Sequence, residues 1–522
     1  MPRRVSDSLF ARTSRRSMVR GGVAAAALAT AAPHIARAGQ ATPAAGPAPD
    51  LDAIDQFVSE ALESYGVPGA SVAVVQHGEP LLVKGYGVRS VDTQDPVDAD
   101  TIFQLASNTK PMTSFTLATL VDEGAVDWTT PASEVLPELR LMDAYAGLHA
   151  NARDLLAHRG GFPAFAGDLL GQLGYDRPEM LRRLRYMQPG SSFRDVAAYS
   201  NLGYFIVGEM VARLTGARWE DAMQARLFDP LGMTRSAPSL GDLPSDTNLS
   251  ANHATVDGSV VTVEADTHGV SGAAGSALST ANDLVHWMST LLSGGTADGE
   301  QVVQAATVRT MFESVIPSEI SFTEAPPIDE LTGFYYGLGW GGFHWHGYEV
   351  LEKGGALAGV RTVVELVPQL GLGVAVLANM NLTYLPEAIR TFVLEQFLGP
   401  AERDLQGEIR EMATQLAQAF TPMTVPEDPT PLDVSLDDLA RSYEQDLYGR
   451  FEIIAEGDVL RVEAGPGAHP ASLTHYGLNS FLLDWGGAAQ LPELLTFTLG
   501  PDGLAVAFAT DTLGTFTRVS QS

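Results

Sequence analysis

Between residues 51 and 400 the strand-like patterns lie at the two ends and helix-like patterns fill the middle, an order that leaves few folds open. Residues 70–75 and 81–86 flank Gln76-His77-Gly78-Glu79-Pro80 and read as a hairpin. Residues 348–353, 360–367 and 374–378 alternate or run apolar with turns between them, and a helix follows near residues 385–398. Residues 101–300 carry mostly helical spacing with Gly/Pro punctuation, including an N-cap within Ser279-Thr280-Ala281-Asn282-Asp283. A first helix runs from Leu51 through Ile54, Phe57, Val58, Ala61, Leu62 and Tyr65, and Gly66 ends it. Strands divided in this way predict one sheet closed by both chain ends. The expected architecture is α/β (α+β): an antiparallel sheet flanked by helices, with a helical subdomain. An active site at the seam would draw residues from both parts.

The flanking segments read differently. Residues 1–38 hold seven arginines and one acid, then a short apolar run, then Ala36-Arg37-Ala38. That is the basic–apolar–small order of a secretory signal, too short to span a bilayer. Ser14-Arg15-Arg16-Ser17-Met18-Val19-Arg20 resembles the twin-arginine export motif. The expectation is export, periplasmic or extracellular, after cleavage near Ala38, with no transmembrane anchor. Residues 39–50 read as a linker, 51–400 as one catalytic domain, and 401–434 as a connecting helix with a Pro-rich linker. Residues 435–522 break into short apolar stretches separated by Gly, Pro and Asn, which suggests a small antiparallel β-barrel domain. The net charge of −31 repels phosphate backbones, so no nucleic-acid partner is expected. The chain has no cysteine, which removes disulfides, thiolate metal sites and cysteine nucleophiles together.

Of 32 Lys and Arg residues only Lys84, Lys110 and Lys353 are lysine. Lysine can lose its proton at reachable pH and arginine effectively cannot, so each lysine is a candidate for a role arginine cannot fill. Ser107 and Lys110 stand three apart where a helical pattern opens, which puts both on one face. A neutral amine one turn away can serve as base for a hydroxyl nucleophile. The bland alternative is a capping serine beside an exposed lysine. Tyr199-Ser200-Asn201 offers a phenol to relay a proton and an amide to hold a substrate amide. Lys353-Gly354-Gly355-Ala356 closes a strand pattern with a cation and two glycines that admit a ligand to the strand edge.

Ser-x-x-Lys, Tyr-x-Asn and Lys-x-Gly in this order resemble the serine β-lactamase and penicillin-binding-protein superfamily. The branch most similar holds class C β-lactamases, D-aminopeptidases and related esterases. Leu155-Leu156-Ala157-His158-Arg159-Gly160-Gly161 is similar to that branch's LLxHxxG segment, and the barrel to one appended to some of its peptidases. The resemblance implies that Ser107 is acylated, that Lys110 and Tyr199 share proton transfer, and that Asn201 orients the substrate amide. It implies that Lys353 steadies the Tyr199 hydroxyl or a substrate carboxylate, beside Gly355. It also implies an oxyanion hole from the N–H groups of Ser107 and Ala356. Where β-lactamases often carry Lys-Thr-Gly this chain has Gly354, so a hydroxyl for a substrate carboxylate is missing. The expected activity is therefore that of a peptidase or esterase on a small-molecule or short-peptide substrate, without metal or cofactor. The alternatives are a penicillin- or cell-wall-peptide-binding protein without turnover, and a true β-lactamase. His344 and His346 would share one strand face, but no third ligand accompanies them.

Overall fold

The computed structural model describes residues 48–244, 248–265, 269–318, 332–420, 423–486 and 491–519. The expected export signal lies outside the described residues. Helix α1 (Leu51–Ser64) starts where the Asp50 side chain accepts from the Ala53 N–H, and buries Ile54, Val58 and Ala61. Strands β1 (Gly69–Gln76) and β2 (Glu79–Gly87) form the hairpin. Its turn is only His77-Gly78, both at positive φ, the geometry a two-residue hairpin requires. Then come α2 (Thr109–Asp122), α3 (Asn201–Thr215) and α4 (Ala281–Leu292). The late strands are β3 (Ile316–Pro317), β4 (Thr332–Tyr336), β5 (Gly341–Trp345), β6 (Tyr348–Leu357), β7 (Val360–Val367) and β8 (Leu372–Ala378), followed by α5 (Leu385–Leu398).

These strands make one sheet in the order β2-β1-β8-β7-β6-β5-β4-β3. Its central joint is β1 against β8, antiparallel, with Val72 opposite Val376 and Val74 opposite Val374. The two faces sort by the period of two. Val72, Val74, Val363 and Val376 pack on α1 and α5 through Ile54, Val58, Ile389 and Val393. Ala73, Val75, Ala375 and Leu377 face Phe115, Trp287 and Met288 of α2 and α4. Burial on both sides explains why β1 reads as a nearly unbroken apolar run. A charged patch sits inside: Arg390 of α5 pairs with Glu352 of β6 and Glu365 of β7, all buried.

Residues 442–518 form a closed barrel of eight antiparallel strands. Two of them, Ser442–Gln445 and His469–Gly477, are absent from the sequence pattern, the first too short and the second broken by Pro470. Tyr443, Phe451, Phe497, Phe508 and Phe516 fill its interior, as a barrel of this strand number allows. The barrel is not a loosely tethered module. Arg183 donates to the carbonyls of Asp446 (2.8 Å) and Leu447 (2.9 Å), and its guanidinium lies 4.0 Å from the Tyr175 ring centroid. Tyr175 Oη donates to the Tyr448 carbonyl (3.2 Å), and the Gly467 N–H donates to the Leu173 carbonyl (2.9 Å). Gly449 is at φ +78, and a Cβ there would stand 2.0 Å from Tyr175 Oη, so only glycine permits this approach.

Two expectations are corrected. Lys353–Ala356 lies inside β6, which continues to Leu357, rather than at a strand end. His344 lies on β5, but His346 sits beyond it at φ +48, so the two do not share a strand face. Among the described residues no His/Asp/Glu group is placed to hold a metal ion, and no helix is long and apolar enough to cross a membrane.

Candidate active site

Ser107 occupies a tight turn, Ala106–Asn108, that leads into α2. Ala106 is buried at φ +50, a conformation costly for a residue with a Cβ, held by its surroundings. Thr362 of β7 braces the turn from both sides. Its Oγ1 donates to the Leu105 carbonyl (2.9 Å) and accepts from Asn108 Nδ2 (2.9 Å). Thr109 Oγ1 donates to the Ala106 carbonyl (2.8 Å). The result is a half-exposed hydroxyl on a rigid, otherwise buried base.

The structure brings Lys110, Tyr199 and Asn201 to that hydroxyl. Tyr199 Oη donates to Ser107 Oγ at 2.7 Å. Lys110 Nζ lies 3.0 Å from Ser107 Oγ, 2.7 Å from Asn201 Oδ1 and 2.8 Å from the Ala274 carbonyl. Lys110 is fully buried, and burial together with the nearby Lys353 pushes its pKa well below the ordinary lysine value, while Asp168 pulls it up. A neutral amine has two N–H groups and one lone pair. Its two carbonyl neighbours accept the N–H groups, so the lone pair is left facing Ser107 Oγ, which is the arrangement of a general base. Burial raises the Tyr199 phenol, so Tyr199 stays protonated and acts as a donor to Ser107.

Asn201 is the first residue of α3. Its approach is set by His158, whose Nδ1 accepts from the Ser200 N–H (3.1 Å). The His158 ring packs 4.5 Å from Tyr199 and 4.8 Å from Tyr336 between centroids. Burial and the two lysines keep His158 neutral, which an accepting Nδ1 requires. Lys353 Nζ donates to Tyr336 Oη (3.0 Å) and lies 5.0 Å from the Tyr199 ring centroid. Burial lowers its pKa to about 7 against the opposing pull of Glu352. Tyr199 thus carries one lysine 4.7 Å from its ring centroid and a second at 5.0 Å. Lys84, by contrast, pairs with Asp55 (2.7 Å) at the surface.

Gly355 brings β6 against the nucleophile turn. A Cβ there would stand 2.4 Å from the Leu105 carbonyl oxygen, 2.5 Å from Thr362 Oγ1 and 3.0 Å from Ala106 Cβ. Ala356, next along, is exposed. Gly355→Ala should push β6 away from the nucleophile turn and, with the Ala356 N–H serving the oxyanion hole that the resemblance implies, lower kcat by about 10²-fold. Steady-state kinetics would measure this; a fully active variant refutes the close approach as a requirement.

Three side chains at this site carry no motif of their own. Asp168 Oδ2 accepts from Asn201 Nδ2 at 2.7 Å. Thr362 is one of many strand threonines. Phe165, 60% exposed at φ +58, lies 5.3 Å from the Tyr199 ring and donates its N–H to the Tyr199 carbonyl (2.9 Å). An exposed phenylalanine at a strained position is a signal only once the fold is known.

The fold and motifs have counterparts. A protein-family model described as Beta-lactamase matches residues 54–394. Unguisins hydrolase ungD' of Aspergillus campestris is 28% identical over 490 residues, spanning 87% of this chain and 88% of its own length. Penicillin-binding protein 4 of Amycolatopsis lactamdurans is 29% identical over 403 residues, spanning 73% of this chain and 94% of its own. In fold, the chain is similar to the octameric penicillin-binding protein homologue from Pyrococcus abyssi. The TM-score is 0.58 at 20% identity, over 90% of this chain and 100% of that one. It is also similar to a class C beta lactamase from Rhodobacter sphaeroides. There the TM-score is 0.55 at 22% identity, over 66% of this chain and 98% of that one.

Proposed function

Because the chain belongs to the beta-lactamase family, a family of serine hydrolases, we propose that it cleaves an ester or amide bond through an acyl-enzyme on Ser107. The observation that carries this reading is the Lys110 amine, buried and 3.0 Å from Ser107 Oγ with its N–H groups directed to two carbonyls. In the first step the Ser107 proton passes to Lys110 Nζ as the Oγ–C bond forms. The carbonyl electron pair moves to oxygen, facing the N–H groups of Ser107 and Ala356. The bond to the leaving group then breaks, and that group takes its proton from the Lys110–Tyr199 pair. Water reverses the sequence and releases the acid. Asn201 and Lys353 would hold the substrate amide and carboxylate.

Gly354 supplies no hydroxyl beside Lys353, which favours peptidase or esterase activity over efficient β-lactam turnover. The barrel, fixed to the segment before α3, favours short substrates. A relative named for hydrolysing unguisins, similar over 87% of this chain, supports turnover rather than binding alone. We infer export from the basic–apolar–small order of residues 1–38. One experiment addresses these points: intact-mass analysis of secreted protein after incubation with penicillin, p-nitrophenyl esters and small D-amino-acid amides. A mature chain starting after Ala38, a transient acyl adduct on Ser107 and steady ester or amide turnover are expected. A lasting penicillin adduct without turnover would establish the binding-protein alternative, rapid penicillin hydrolysis the β-lactamase one.

A further inference from the structure

We propose that Asp168 is a positioning residue for acylation. By accepting from Asn201 Nδ2 it fixes the Asn201 amide with its oxygen toward Lys110, and so aims the Lys110 lone pair at Ser107. This inference rests on the serine-hydrolase reading above. The line is continuous. Asp168 Oδ2 accepts from Asn201 Nδ2 (2.7 Å), Asn201 Oδ1 lies 2.7 Å from Lys110 Nζ, and Lys110 Nζ lies 3.0 Å from Ser107 Oγ.

An amide has a donor end and an acceptor end of nearly equal shape, and packing alone does not distinguish them. A carboxylate does, because it only accepts. With Asp168 on one side, the NH₂ of Asn201 must face it and the oxygen must face Lys110. Were the amide reversed, its NH₂ would meet Lys110 Nζ. A neutral amine could then satisfy it only by turning its lone pair toward Asn201 and away from Ser107. Asp168 thus decides which of two similar hydrogen-bond patterns the base adopts.

The turn that carries Asp168 is tied to the barrel. The preceding Gly167, at φ +82, donates its N–H to Tyr448 Oη at 3.1 Å. The C-terminal module therefore touches the residue next to Asp168 through the Tyr448 hydroxyl.

Asp168 has a second, separable effect. The charged and titratable groups around Lys110 are Lys353 from β6, Tyr199, Tyr204 and His158 on the helical side, Tyr336 from β4, and Asp168. Burial keeps His158 and the three phenols uncharged near neutrality. Lys353 pushes the Lys110 pKa down and Asp168 pushes it up. Removing the Asp168 charge while keeping its shape must lower the Lys110 titration.

The test uses the full chain and the variants Asp168→Asn and Asp168→Glu, with a p-nitrophenyl ester as probe. Asp168→Asn should slow single-turnover acylation by about 10²-fold, the scale of a misaligned catalytic group, and move the acid limb of kcat/KM to lower pH. Asp168→Glu, still acceptor-only, should keep the wild-type limb and most of the rate. Because the chain has three lysines, ¹³Cε-lysine labelling gives three signals, and the Lys110 midpoint should fall in Asp168→Asn whether or not the probe reacts. Undiminished acylation in Asp168→Asn, or a loss of rate with the limb and the Lys110 midpoint unmoved, overturns the proposal. Failure of the wild type itself to acylate on Ser107 overturns the serine-hydrolase reading instead.

Discussion

Lys110→Arg should be as inactive as Ser107→Ala, a loss of at least about 10⁴-fold in kcat/KM, the scale seen when one member of a coupled catalytic set is removed. Arginine keeps the positive charge and cannot give up its proton, so it tests the lone pair rather than the charge. It is also larger, and the site is fully buried. Lys110→Met is therefore the necessary companion, since it fills the space without charge or lone pair. Both variants should fold, as read by circular dichroism, and neither should acylate. Substantial turnover by the Arg variant would assign Lys110 an electrostatic role. Turnover by the Met variant would move the base to Tyr199.

The motifs of this site were legible because each rests on residue types whose spacing or scarcity is visible in one dimension. Ser107 and Lys110 are three apart, and two of the three lysines come to rest beside the Tyr199 ring. Asp168 was not legible. Its importance lies in facing Asn201 across a loop, and nothing in Gly167-Asp168-Leu169 marks it. Thr362 escaped for the same reason, since it arrives on a strand whose register brings it beside residues distant in sequence. Lys353 was readable from the scarcity of lysine and the closure of one sheet by both chain ends from the strand patterns, but the reach of β6 past Ala356 was not, because Gly354 and Gly355 look like a strand end until close packing against Leu105 explains them. In the barrel, a four-residue strand and one containing Pro470 fell below any periodic signal.

Lys353→Met should inactivate the protein and stabilise it. Burial lowers Lys353 from its ordinary 10.5 to about 7. The unfolded chain therefore binds more protons than the folded one between those values, and native stability rises with pH across that window. The cost of burying this lysine is full below about pH 7 and vanishes near pH 10.5. It is at most about 5 kcal/mol. Removing the donor to Tyr336 Oη offsets part of the gain, about 1–3 kcal/mol. A net stabilisation of about 2 kcal/mol is expected at pH 6, shrinking toward pH 10, with turnover reduced at least about 10²-fold. Denaturant titrations at the two pH values measure it. A variant less stable than wild type at pH 6 would show that Lys353 is paid for by its contacts rather than by function.

The joint between β1 and β8 unites strands separated by roughly 300 residues, so at typical ribosome speeds the first hairpin waits some tens of seconds for its partner. During that time the edge of β1 lies open, carrying Val72, Val74 and Val75. Nascent copies on neighbouring ribosomes can pair there. Yield in a heterologous host should therefore respond to translation rate and to chaperones that shield extended segments, even when the finished protein is amply stable.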